Sequence, residues 1–143
     1  MTITDHDAFP ARLACLGAAT AFVERFCALH GIGRDDLLRL TLIVEELFTN
    51  TVVHGHRGDS DATIRIGLGA TPAAVALQFE DAAPPFDPLQ WLDASLPDLD
   101  AGVDARPVGG LGVHLLVRMA ERVDYAHVDG CNRLRLWLQR QRS

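Results

Sequence analysis

Lysine is absent from this chain, and all 13 basic residues are arginine. A phosphate loop that depends on a lysine ammonium is therefore excluded. Alanine is abundant, so the missing lysine reads as compositional bias rather than selection for a function. Positive charge is scarce as a whole. The net charge of −6 argues against direct nucleic-acid binding, which needs a basic surface to displace counterions. The cysteines, Cys15, Cys27 and Cys131, are odd in number and widely spaced. They form neither a disulfide framework nor a zinc-binding pattern, and they fit a reduced, cytoplasmic protein. Cys15 and Cys27 fall in an apolar helical pattern and are expected in the core. No apolar run reaches the length of a membrane span, and the acidic opening Thr2-Ile3-Thr4-Asp5-His6-Asp7 is unlike a signal peptide. No association with membranes is expected.

What is present suits one domain. The 143 residues are 48% apolar and 22% charged, enough for a single sizeable core spanning 1–143. Residues 9–31 read as a first helix, with Leu13, Leu16, Ala19, Phe22, Val23, Phe26 and Leu29 at helical spacing and His30-Gly31-Ile32-Gly33 as its stop. Asp35 is a candidate N-cap for a second helix running to about His54. After a polar turn, Ala62–Leu68 and Ala74–Glu80 alternate as a hairpin. Residues 82–108 are rich in Pro, Asp and Gly; a loop of that length usually serves function, often as a lid, here about 89–108. A third helix opens at Gly109–Gly112. Runs Arg122–Val128 and Asn132–Leu138 then flank Asp129-Gly130, a strong hairpin signal. The order αα, ββ, lid, α, ββ predicts an α+β, two-layer sandwich: a mixed, mostly antiparallel sheet with about three helices on one face.

Three motifs carry the chemistry. Glu46 and Asn50 lie four apart in the second helix and share a face; His54 continues that stripe, while Leu40, Val44, Leu47, Phe48 and Thr51 form the buried one. An acid beside an amide on a rigid element suits a proton acceptor next to a metal ligand. Glu45 points about 100° away around the helix. Asp81 ends the second strand, where a carboxylate can accept a hydrogen bond from an exocyclic amine or cap backbone amides. Gly109-Gly110-Leu111-Gly112 precedes the third helix, where bare backbone amides and the helix N-terminus can cradle phosphate. His54 and His56 flank Gly55 with no third ligand apparent, so a structural or solvent role is expected. Trp137 is expected in the core, and Trp91 against the lid.

In this order and spacing the three motifs resemble those of the ATP-binding domain shared by DNA gyrase, heat-shock chaperones, sensor histidine kinases and mismatch-repair ATPases, the Bergerat-type fold. Within that superfamily the small size, Asn50-Thr51-Val52-Val53-His54-Gly55 and Pro85-Phe86-Asp87-Pro88 resemble the anti-sigma-factor serine/threonine kinases, from about residue 10 to residue 140. The resemblance implies ATP and Mg²⁺ as cofactors. It implies Glu46 as general base, Asn50 as metal ligand, and Asp81 on the adenine amine. Ala83 and Phe86 would stand beside the nucleotide, with Gly109, Gly110, Leu111 and Gly112 around phosphate beneath the lid. Arg106, alone among Asp93, Asp98, Asp100 and Asp104, is the candidate phosphate contact of the lid.

The resemblance further implies a serine/threonine protein kinase of a bacterial partner-switching system. It would phosphorylate an anti-sigma-factor antagonist and bind a sigma factor or other effector, with a homodimer as one assembly. The alternative is an ATP-gated binding module that sequesters its effector with little or no phosphoryl transfer. Histidine-kinase-like catalysis ranks behind both, since the chain shows no dimerisation helices bearing a phosphoacceptor histidine. The chain departs from the family where Ala83 stands in place of glycine. Were the backbone there in positive φ, alanine would cost about 1–2 kcal/mol. Were its methyl group to crowd adenine, the cost would be about 1–3 kcal/mol.

Overall fold

A computed structural model describes residues 2–85 and 120–141. The chain begins with strand β1 (Asp5–Pro10) and a short 3₁₀ turn at Leu13–Cys15, followed by α1 (Leu16–Leu29) and α2 (Arg34–Asn50). A π-helical turn, Thr51–Gly55, extends α2. The hairpin β2 (Thr63–Ala70) and β3 (Ala74–Asp81) comes next, and β4 (Arg122–Val128) and β5 (Cys131–Gln139) form a second hairpin. Among the described residues five strands make one sheet in the order β1-β2-β3-β5-β4, every pairing antiparallel.

The first helix is shorter than its apolar spacing predicts. Residues Phe9 and Pro10 belong to β1, which pairs with β2 from Asp5↔Leu68 to Pro10↔Thr63. No alternation marks this strand, because it lies at the sheet edge and only Phe9 is buried. Leu13 and Leu29 fit the helical stripe yet are exposed. The buried side of α1 is Ala19, Phe22, Val23, Phe26 and Cys27. The stop is the expected glycine: Gly31 has φ +65°, and the Ile32 amide donates back to the Cys27 carbonyl at 2.9 Å.

The second helix starts at Gly33, whose carbonyl accepts the Leu37 amide at 3.0 Å. Asp35 is thus inside the first turn rather than at the cap, where it and Asp36 still oppose the positive end of the helix dipole. Asp36 is buried, accepts the Gln141 amide at 3.0 Å and faces Arg39 at 3.6 Å, tying the chain beyond β5 to the helix.

Helix side chains Leu40, Ile43, Val44 and Phe48 meet Ile64, Ile66, Leu68, Leu77, Leu136 and Leu138 of the sheet in one core. The period of two in β5 sends Leu134, Leu136 and Leu138 inward. Trp137 goes outward, so the expectation that it is core is overturned; the guanidinium of Arg122 lies 5.1 Å from its ring centre. The turn at Asp129 (φ +53°) and Gly130 (φ +78°) is the left-handed pair that a two-residue hairpin requires. Cys27 is buried as expected, while Cys15 is half-buried against the core; all three cysteines are free. Among the described residues no helix is long and apolar enough to cross a membrane. The third helix, the lid at 89–108 and Trp91 lie outside the described residues.

Candidate active site

At one end of the sandwich, α2 and its π turn diverge from the sheet and leave a pocket. Its helical wall is Leu47, Asn50, Thr51 and Gly55; its sheet wall is Phe79, Asp81, Leu134, Asn132 and Tyr125, closed by Ala83. Strand register builds the second wall. Phe79 pairs with Leu134 and Tyr125 with Leu134, which sets the three side by side; Asp81 pairs with Asn132 one inward step further on. An apolar slot with a few convergent polar groups is the usual form of a small-molecule site.

Asn50 faces this pocket from the last residue of α2. Glu46 lies one turn earlier on the same helix, half-buried, outside the pocket lining. Burial raises its carboxyl pKa above the ordinary value, and the neighbouring Glu45 charge adds to the shift. Glu45 itself is exposed.

The π turn re-aims the side chains beyond Asn50. The His56 amide donates to the Thr51 carbonyl, five residues back, at 2.9 Å. With an extra residue in the turn, four-residue spacing no longer keeps one face. Gly55 therefore faces the pocket, and His54 is exposed rather than continuing the Glu46–Asn50 stripe. Thr51, read from spacing as core, is half-buried and lines the pocket. Among the described residues no group of three or more His, Cys, Asp and Glu side chains is placed to hold a metal.

Asp81 is buried, and its two oxygens are treated differently. Oδ1 accepts the Ala83 amide at 2.8 Å and the Asn132 Nδ2 at 3.2 Å. Among the described residues Oδ2 has only the Thr51 hydroxyl, at 3.4 Å. The carboxylate thus caps a backbone amide with one oxygen and retains acceptor capacity on the other. Asn132 also donates to the Ala83 and Pro84 carbonyls, both at 3.1 Å, and accepts the Tyr125 hydroxyl.

Ala83 does not have positive φ; among the described non-glycine residues only Arg57 and Asp129 do. The backbone cost considered for an alanine here is therefore absent. The methyl group is buried and sits against bare backbone: a Cβ on Gly55 would lie 3.0 Å from the Cβ of Ala83.

Of the residues expected at the site, Asn50, Asp81 and Ala83 converge on the pocket, with Glu46 one turn away. Phe86, Arg106, Gly109, Gly110, Leu111 and Gly112 lie outside the described residues. Sequence reasoning missed Thr51, Tyr125 and Asn132. For Asn132 there was a signal: an amide in the inward register of a strand whose other inward residues are leucine.

A two-layer sandwich with an acid-bearing pocket between its helices and the end of an antiparallel sheet is a form suited to a small-molecule ligand. The model of the histidine kinase-like ATPase domain matches residues 9–138, and the chain belongs to that family. Domains of this kind bind ATP, usually with Mg²⁺. The fold is similar to that of the catalytic domain of histidine kinase ThkA in a nucleotide-free form. The TM-score is 0.54 at 12% identity, covering 96% of this chain and 99% of that one. A second nucleotide-free form gives a TM-score of 0.54 at 11% identity, over 98% and 100% of the two chains. No curated protein sequence matches the chain.

Proposed function

We propose that this domain is a serine/threonine protein kinase of a bacterial partner-switching system. It phosphorylates an anti-sigma-factor antagonist and binds a sigma factor or other effector. The observation that carries this reading is Glu46: a half-buried acid with a raised pKa, one helical turn from an amide that faces the pocket.

The donor set fits a nucleotide with its metal. Asp81 Oδ2, bonded among the described residues only to Thr51, is available to the amine of adenine, and Leu47, Phe79 and Leu134 offer apolar contact to the base. The Asn50 amide oxygen is a hard, neutral ligand, and Mg²⁺ characteristically takes few protein ligands beside phosphates and water. Held there, Mg²⁺ would supply neutralisation of charge on the transferring phosphoryl group. Glu46 accepts the proton of the attacking serine or threonine hydroxyl; desolvation makes its carboxylate a stronger base than an exposed one. A positioned base contributes about 10²–10⁴-fold to such a step.

The test is incubation with ATP, Mg²⁺ and candidate antagonist proteins, reading phosphoserine and phosphothreonine by mass spectrometry. Modification lost in Glu46→Gln, with ATP binding retained, supports the reading. One observation favours a second reading, an ATP-gated binding module with little transfer: the Ala83 methyl group occupies space at the mouth of the pocket beside Gly55. ATP-dependent capture of an effector without phosphorylation of any antagonist would decide for that module.

A further inference from the structure

The face of the sheet turned away from the helices has features that the nucleotide pocket does not use. It carries Arg65, Arg122, Arg133 and Arg135 against two acids, Glu80 and Asp124. Glu80 is taken by Arg133 at 3.2 Å and Asp124 by Arg122 at 2.9 Å. Among the described residues neither Arg65 nor Arg135 forms an ion pair; Arg135 only donates to the Gln78 side chain at 2.7 Å. A chain of net charge −6 thus presents a net positive sheet face.

The same face is grooved. Small residues run across its middle, Gly67 and Gly69 on β2 and Ala76 on β3. The glycines are required by a close approach: a Cβ on Gly69 would lie 2.1 Å from the Thr2 carbonyl oxygen, and one on Gly67 would lie 2.7 Å from an Ile3 methyl group. The N-terminal segment therefore lies flat on β2 and raises one bank. Trp137, held under Arg122, raises the other. Between them is a cavity of about 310 Å³, lined by Ile3, His6, Ala76, Gln78, Arg135 and Trp137. A solvated sheet face normally carries polar residues. A half-buried tryptophan beside a guanidinium and a groove is instead the composition of a binding hot spot.

We propose that this outer face docks an acidic protein segment, an apolar side chain entering the groove against Trp137 and carboxylates pairing with Arg135 and Arg65. Nucleic acid fits less well, because two uncompensated arginines on an acidic protein cannot displace many counterions. The surface lies on the opposite side of the sheet from the nucleotide pocket, so this inference stands independently of the kinase reading.

The test is selection of short random peptides displayed on phage against the immobilised full chain, followed by calorimetric titration of enriched peptides. Enriched sequences are expected to set Asp or Glu beside an aromatic or branched apolar residue, and to bind more weakly as salt rises. Affinity should fall at least about tenfold in Arg135→Glu and in Trp137→Ala, and stay unchanged in Asn50→Ala. Arg135 is exposed, so its variant keeps the test valid if Trp137→Ala unfolds. Arginine placed at the peptide's acidic position should recover binding to Arg135→Glu. Enriched peptides without acids, or binding indifferent to Arg135→Glu, would overturn the proposal. Duplex DNA bound with the same arginine dependence would reassign the face to nucleic acid. Self-association lost in Trp137→Ala would reassign it to a second copy of the chain.

Discussion

Asn132 holds Asp81 in one orientation. Its Nδ2 donates to Asp81 Oδ1 at 3.2 Å across the β3–β5 register pair, while the Ala83 amide takes the same oxygen at 2.8 Å. With Oδ1 occupied twice, Oδ2 is the oxygen presented toward Thr51 and the pocket. Asn132→Ala should leave a buried carboxylate oxygen and the Ala83 and Pro84 carbonyls short of a donor. The cost is expected at about 1–3 kcal/mol of stability. Urea unfolding would measure it. ATP affinity should fall as well, because Oδ1 then keeps only the Ala83 amide to fix the carboxylate's orientation. Unchanged values in both measurements would show that Asn132 does not orient Asp81.

Ala83 and Gly55 form a complementary pair across the pocket mouth. Gly55→Ala brings a second methyl group to 3.0 Å from the first, closer than side-chain carbons ordinarily sit. Neither backbone has positive φ, so space alone decides the outcome. Gly55→Ala should weaken ATP binding, Ala83→Gly should strengthen it or leave it unchanged, and the double variant should recover most of the loss. A double-mutant cycle by calorimetry measures the coupling, expected at about 0.5–3 kcal/mol for residues in contact. Additive effects would mean that the two methyl groups do not meet.

The sequence made the fold legible wherever a period was strong. β4 runs from Arg122 to Val128 as its alternation predicts, and both hairpins are where turn residues put them. β1 was illegible because an edge strand with one buried residue has no period to read. In the site, Asn50 and Asp81 stood out as polar groups at ordered positions. His54 was misplaced because a π turn is invisible to reasoning that assumes 3.6 residues per turn. Thr51 was missed because its hydroxyl reaches Asp81 only when the turn after α2 packs on β3, and Asn132 because its role depends on the strand pairing that brings β5 against Asp81.

Asp81→Asn tests the assignment of the base-binding group. The variant keeps size and shape, and its amide oxygen can still accept the Ala83 hydrogen bond. An amide nitrogen in the Oδ2 position, however, would oppose a donor amine of the nucleotide rather than accept from it. ATP affinity should drop about tenfold or more. Discrimination of ATP from GTP, followed by competition against a fluorescent nucleotide, should fall with it. Equal loss for both nucleotides would point instead to a general distortion of the turn at Ala83.

Glu46 ties the chemistry to pH and to stability with opposite signs. Its pKa is raised in the folded protein because burial disfavours the charged form and Glu45 adds repulsion. The folded state therefore holds this proton more tightly than the unfolded chain does. Glu46 contributes most to stability below the unfolded carboxyl value, and that contribution is lost as pH rises through the folded one. Above its raised pKa the carboxylate is ionised at a cost to the fold, so there Glu46→Gln should unfold at higher temperature than the unchanged protein. The difference should shrink as pH is lowered. Phosphoryl transfer runs the other way, since the base works only when deprotonated. The rate should rise with pH through the raised pKa and then level off. Thermal unfolding and single-turnover rates across one pH series test both limbs. A Glu46→Gln protein that is less stable above the raised pKa would contradict the desolvated-base assignment. A transfer rate flat across the carboxyl range would remove Glu46 from the proton-accepting role.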